Sequence, residues 1–170
     1  MTTRLQFEDW VPFPGPRVFA FFSNPENLPR LMPPATDTRL ERLQLISPLP
    51  SQSDWSASPH AAGVGSVIET SFRLFPFLST RALWIARITE FEWNHYFADM
   101  QRKGPFKRWD HHHEFVAEAR NGANGTLVCD LIEYEVGFGP LGALANALFI
   151  ERQIRRTFAE RQRALPKLLS

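Results

Sequence analysis

The residues able to do chemistry are concentrated between Phe97 and Phe115, in the run F-A-D-M-Q-R-K-G-P-F-K-R-W-D-H-H-H-E-F. The run reads as two extended segments joined by a turn at Gly104-Pro105. Alternate residues of a strand share a face. Phe97, Asp99 and Gln101 therefore fall together on the first segment, and Trp109, His111, His113 and Phe115 on the second. An imidazole moves protons near neutral pH, and a carboxylate beside it orients the ring. Two imidazoles at i, i+2 with a carboxylate as third donor can also converge on a metal ion. The same groups can simply hydrogen-bond one another and tie neighbouring strands together. The company they keep is unusual. A core face is normally apolar throughout, and a solvent face normally lacks Phe and Trp. Polar groups set in an aromatic wall are how small-molecule pockets are built.

Three more residues bear on this face. Asp130 and Tyr134 share one side of a later strand with Val128, Ile132 and Val136. Arg161 follows Phe158 by about one helical turn, so the two lean the same way. Charged side chains are rarely buried without a partner. Arg161 is therefore expected to pair with Asp130 or Asp99 beneath its helix, or else to lie exposed at the edge of the apolar stripe.

Four uses of such a face stay open on the sequence. The leading one is binding of a small hydrophobic or amphipathic molecule. Phe97, Trp109, Phe115 and Phe158 would cover its apolar surface, and Asp99, Gln101, His111, His113, Asp130, Tyr134 and Arg161 would fix one end. The alternative is a cyclase- or dehydratase-type enzyme, in which His111 or His113 moves protons and Asp99 or Asp130 orients the ring. The third is a metal ion held by His111, His113 and Asp99. His112 points the opposite way and a two-His spacing specifies little, so no metal and no cofactor is assigned. The fourth is a structural network alone. No nucleophile–base triad stands out. The stretch Gly137 to Gly142 lacks the Lys-Ser/Thr ending of a phosphate loop; its glycines let the chain turn from strand into helix.

The elements that must position these groups follow from periodicity and punctuation. Leu5 to Val11 alternates as a first strand, broken by Pro12, Pro14 and Pro16. Val18 to Phe22 forms a short apolar helix. Ser23-Asn24-Pro25 caps and restarts the chain, and a second short helix near Glu26 to Met32 ends at Pro33-Pro34. Thr38 to Ile46 is a strand. Ser47 to Gly63, rich in Pro and Ser, reads as a long surface loop in which Trp55 is an anchor or a cap over the pocket mouth. Strands follow over Val64–Phe75 and Thr80–Phe91, joined by a turn at Pro76 to Leu78. Two more run over His95–Arg102 and Asp110–Ala119. Asn121 to Gly125 is a hairpin signal, and Thr126–Val136 is the last strand. From Ala143 to Leu169 the period becomes helical, with Leu144, Leu148, Ile154, Phe158 and Leu165 forming the stripe. Consecutive strands with tight turns argue for an antiparallel sheet. Curved around the long helix, it would bury that stripe and leave a space closed at one end by the short helices.

Composition narrows the partners. A chain of 170 residues is read as one domain, residues 1–170. Its hydrophobic fraction of 44% supports a real core, and 15 Phe dominate the aromatic share. A net charge of +1 gives no reason to propose nucleic acid or an anionic membrane as main partner. Arg152 to Arg163 is interleaved with Glu151 and Glu160 and reads as a solvated helix face. Cys129 is the single cysteine, so no intrachain disulfide forms; in L-V-C-D-L-I it reads as a packed small hydrophobe. No run approaches the length of a membrane span, and the N-terminus lacks a signal peptide's apolar region. A cytoplasmic location is the default expectation.

Four motifs resemble one family. They are F-x-D-x-Q-x-x-G-P-F-x-x-W-x-H-x-H-x-F (Phe97 to Phe115), D-x-x-x-Y-x-x-x-x-G-P-L-G (Asp130 to Gly142), V-F-x-F-F-x-x-P-x-N-L (Val18 to Leu28) and F-x-x-R at Phe158 and Arg161. Together with the order of elements, they resemble the START, Bet v 1 and polyketide cyclase superfamily (SRPBCC), in its bacterial cyclase/dehydrase-like branch. The resemblance implies an α+β helix-grip fold. In that fold a curved antiparallel sheet of six to seven strands wraps a long C-terminal helix, with two short helices after strand 1. It implies an internal hydrophobic cavity. It also implies a functional link to an epimerase-like protein, since in this branch such a domain sometimes follows in the same polypeptide. Carriers, hormone binders and true cyclases share the fold, so the fold does not choose among them.

Overall fold

The computed structural model describes residues 2–49, 60–73 and 80–170. The chain opens with β1 (Thr3–Val11), α1 (Gly15–Ser23), a 3-10 turn (Pro25–Asn27), α2 (Leu28–Leu31) and a second 3-10 turn (Pro34–Thr36). Six strands follow: β2 (Arg39–Gln44), β3 (Val67–Arg73), β4 (Arg81–Glu92), β5 (Tyr96–Lys103), β6 (Arg108–Arg120) and β7 (Ala123–Glu135). The chain closes with α3 (Gly139–Ala145), a π turn (Asn146–Ile150) and α4 (Glu151–Leu169). The loop residue Trp55 and the expected turn at Pro76 to Leu78 lie outside the described residues.

The strands form one antiparallel sheet in the order β1-β7-β6-β5-β4-β3-β2. Neighbours in sequence pair as hairpins, whereas β1 lies against the last strand. The β6–β7 turn is tighter than expected. Asn121 and Gly122, at φ 51° and 77°, make it alone, and Ala123 to Gly125 already belong to β7. Positive φ at both central residues matches the twist of the flanking strands. Register shifts in the β4–β5 ladder at Ile85/Ala86 and Ile88/Glu90 bend the sheet.

Asn24 caps the second helical segment by accepting from the Glu26 amide at 3.0 Å. That segment is not the continuous helix expected over Glu26 to Met32. It divides into a 3-10 turn and the single turn of α2, because Pro29 has no amide to donate to the Pro25 carbonyl one turn back.

Two apolar clusters lie between the sheet and the helices. One gathers Val11, Val18, Phe19, Phe22, Leu31, Phe97, Phe115, Val128, Leu165 and Leu169 with their neighbours. The other gathers Leu5, Trp109, Ile132, Tyr134, Ile154 and Phe158. The stripe of α4 is as expected from Ile154 onward. Leu144 and Leu148 depart from it: they are 57% and 55% exposed. The π turn, which follows Leu144 and contains Leu148, carries an extra residue, which rotates the helix surface by about 100° relative to Ile154 onward. Asn146 takes the place facing the sheet, accepting from Tyr134 Oη at 2.8 Å and donating to Thr3 Oγ1 at 3.2 Å.

A candidate polar site between two aromatic clusters

In four of the elements lining the concave face, polar residues interrupt an apolar row. On β1 the row reads Leu5, Phe7, Asp9, Val11. On β7 it reads Val128, Asp130, Ile132, and on β6 Trp109, His111, His113, Phe115. On α4 it reads Phe158, Arg161, Leu165. The apolar members on one side belong to one cluster and those on the other side to the second. Strand register puts the interruptions at the same level, since Asp99 lies opposite His111 and His113 opposite Asp130. The result is a charged layer between two aromatic blocks.

His111, His113 and Asp130 are 9%, 6% and 3% exposed. His111 Nε2 lies 3.0 Å from Asp130 Oδ1. His113 Nδ1 is 2.7 Å from the same oxygen, but off the line of a hydrogen bond. On their other sides the rings face Asp99, whose Oδ2 is 3.6 Å from His113 Nε2 and 3.9 Å from His111 Nδ1. Arg161 pairs with the second oxygen of Asp130. Its guanidinium also lies over two rings, 5.0 Å from the centre of Phe22 and 4.8 Å from that of Phe158.

Electrostatics divides the two histidines. Burial pushes His111 down to about 4; the neighbouring His113 adds to this and Asp130 opposes it. Burial also works against charge on His113, but the adjacent Asp130 and Asp99 outweigh it and raise its pKa. Burial would raise the Asp130 carboxyl, yet Arg161 and the two imidazoles hold it well below the usual range.

Most of the residues singled out in the sequence meet here. Phe97 stacks obliquely on His113 with ring centres 4.4 Å apart. Trp109 meets His111 edge-on at 6.3 Å, as does Phe158 at 5.7 Å. Phe115 and Phe22 close the opposite end, their ring centres 5.4 Å apart. Tyr134 is fully buried two inward positions beyond Asp130 on β7, in contact with Trp109 and Phe106. Gln101 does not join the patch. Its amide is consumed by the β5–β6 turn, donating to Phe106 O at 2.8 Å and accepting from Phe106 N at 3.3 Å. His112 points outward and stacks on Tyr96, as alternation requires.

Two contributors escaped the sequence reading. Asp9 lies within electrostatic reach of Arg161 and Asp130, and burial raises it to about 6. The signal was available, because Asp9 interrupts the β1 row as Asp99 interrupts its own. Phe22 covers Arg161, which no local pattern announces. A surface hollow of about 340 Å³ lies elsewhere, beside the β4–β5 turn, lined by Glu92, His95, Tyr96 and Glu114 among others. It is separate from the charged layer.

A curved antiparallel sheet closed by a long C-terminal helix, with short helices after the first strand, defines a helix-grip protein. Residues 11–163 match the model of the family described as polyketide cyclase / dehydrase and lipid transport, and the chain belongs to that family. No curated protein matches the sequence. Solved structures share the fold at low identity. An aromatase/cyclase, Zhui, from a Streptomyces species has a TM-score of 0.68 at 11% identity, over 99% of this chain and 94% of its own. The protein TTHA0849 from Thermus thermophilus has 0.65 at 15%, over 98% and 97%. Norcoclaurine synthase from Thalictrum flavum has 0.63 at 17%, over 99% and 87%. Among the described residues, no helix is long and apolar enough to cross a membrane.

Proposed function

We propose that this protein binds a small amphipathic molecule between the concave face of the sheet and the C-terminal helix. The polar end of the ligand meets Asp99, His111 and His113, and its apolar body lies against the neighbouring aromatic rings. The observation that carries this reading is the charged layer set between two aromatic clusters. Burying that many ionisable groups is costly for a fold that only needs a core, whereas a binding wall needs a few placed polar groups in apolar surroundings. Asp130 and Arg161 support the layer from behind and orient the imidazoles. The family description, which joins cyclase, dehydrase and lipid transport, fits a ligand of this kind.

Native mass spectrometry of the gently purified chain tests the proposal, with a retained small molecule as the expected result. Titration with anilinonaphthalene sulfonate should show saturable uptake at one site, weakened by His113→Ala. A chain with no retained molecule and no saturable uptake overturns the reading. Turnover of the retained molecule, lost in a His113→Ala variant that still binds it, would place the protein with the cyclase- or dehydratase-type enzymes instead.

A further inference from the structure

We propose that Asp99, His111 and His113 bind one divalent transition-metal ion, of the zinc or iron(II) type. The inference concerns the site described above, but it stands on the geometry of the donors and does not need the organic ligand.

Three observations carry it. First, one donor atom from each residue lies within 4.8 Å of the other two. Zinc bonds to imidazole nitrogen and carboxylate oxygen of about 2.0–2.2 Å separate neighbouring donors by roughly 3–3.5 Å. Asp99 Oδ2 is already 3.6 Å from His113 Nε2 and 3.9 Å from His111 Nδ1, and no pair in the set is wider than 4.8 Å, so closure asks for about an ångström at most beyond side-chain rotation. The two strands hold these residues in register, so small rotations of the side chains suffice.

Second, the nitrogens turned away from this point both face one carboxylate. His111 Nε2 is hydrogen-bonded to Asp130 Oδ1 at 3.0 Å, His113 Nδ1 lies 2.7 Å from the same oxygen without yet being aligned to it, and Arg161 anchors the second oxygen of that carboxylate. A carboxylate behind a metal-binding imidazole fixes its tautomer, orients the ring and raises its basicity. Here one carboxylate serves two rings, whose centres are only 3.8 Å apart.

Third, charge balance favours a dication. Asp9, Asp99 and Asp130 stand against Arg161, so with the imidazoles neutral, as metal binding requires, the carboxylates exceed the guanidinium by two charges. A divalent ion cancels them. Two imidazoles and one carboxylate suit zinc, iron, cobalt or nickel rather than magnesium or calcium, which prefer all-oxygen sets. Three protein donors also leave coordination positions open, as in sites that take an exogenous ligand rather than in purely structural ones.

The test uses the full chain, stripped with a chelator, and the metal alone. One equivalent of Zn²⁺ should remain bound after desalting and raise the melting temperature. Co²⁺ in its place should give visible ligand-field absorption. Mg²⁺ should do neither. Because histidine variants can fail to fold, the deciding variant is Asp99→Asn, which keeps the side chain's shape and leaves the Asp130–Arg161 pair intact. It should melt as the metal-free parent does, yet bind Zn²⁺ at least about 100-fold more weakly, the upper end of what loss of a supporting partner alone costs. Failure of Zn²⁺ and Co²⁺ to bind at one per chain, or Asp99→Asn binding as tightly as the parent, overturns the assignment. Either result leaves the organic-ligand reading to its own experiment.

Discussion

Arg161 of α4 and Asp130 of β7 form an ion pair whose side chains are only 11% and 5% exposed. The pair ties the long helix to the middle of the sheet, and Phe22 and Phe158 cover the guanidinium from α1 and from α4 itself. It also sets the charge of the layer beneath, because Asp130 stays ionised only while a cation answers it. Helix docking and the state of the two imidazoles are therefore coupled through one carboxylate.

Arg161→Met should consequently be strongly destabilising. The methionine fills similar space but leaves Asp130 buried without its cation, a change that costs about 3–5 kcal/mol in comparable pairs. Urea denaturation gives the number. Adding Asp130→Asn should recover part of the loss, since the orphaned charge is then gone. An unchanged unfolding midpoint for Arg161→Met would mean the pair contributes nothing.

Asp9 gives a pH signature of definite sign. Burial raises its carboxyl from 3.8 to about 6, Arg161 of α4 opposing and Asp130 of β7 adding to the shift. The folded protein therefore holds this proton more tightly than the unfolded chain. The stability it contributes is full below the unfolded value and is lost as pH rises through about 6. Asp130 behaves oppositely: its depressed pKa gives stability that is present above the ordinary carboxylate value and is lost as pH falls below it. Asp9→Asn should match the parent near pH 4 and exceed it near pH 7, by an amount that grows through the window between (both pH values approximate). Melting curves of the two proteins across this range decide it. A difference that stays constant with pH removes Asp9 from the account.

The inward set on β5 and β6 was legible because alternation puts Phe97, Asp99, Trp109, His111, His113 and Phe115 on one face whatever the surroundings. That Arg161 would pair with Asp130 or Asp99 followed from the cost of an unpaired buried charge; which of the two it takes, Asp130, is set by the packing of α4 on β7. Gln101 obeys the same parity, yet the neighbouring turn claims its amide, a competition that alternation does not register. Asp9 was passed over although it interrupts an apolar row in the same way. Its consequence depends on β1 lying beside β7, a pairing between chain ends with no local signature. The exposure of Leu144 and Leu148 was likewise hidden, since a helical repeat counts residues evenly and a π turn does not.

That π turn carries its own test. Tyr134 is fully buried, and its hydroxyl holds Asn146 at the point where the helix departs from α geometry. Tyr134→Phe keeps the ring among Phe106 and Trp109 but removes the hydroxyl's donation. The expected cost is about 1 kcal/mol, the usual worth of one such bond. Faster amide exchange should be confined to residues 146–150 and the turns flanking them. Exchange rates unaltered there would mean that the backbone alone keeps the irregular turn.

The β1–β7 edge, which brings Asp9 to the charged layer, depends on a glycine. A Cβ on Gly125 would come within 2.6 and 2.7 Å of the Trp10 ring and would also press on the Val11 carbonyl oxygen. Trp10 has little freedom to retreat, because its indole N–H donates to Glu118 O at 3.0 Å. Gly125→Ala should therefore push β1 away from β7 and cost about 1–3 kcal/mol, as overpacking does. Trp10→Phe in the same chain frees space and removes the indole's tether, so the double variant should lose less than the two single losses together. Relief should be incomplete, since the Val11 carbonyl moves only if the strand moves. Simple additivity of the two changes would show that the glycine is not held in place by the tryptophan.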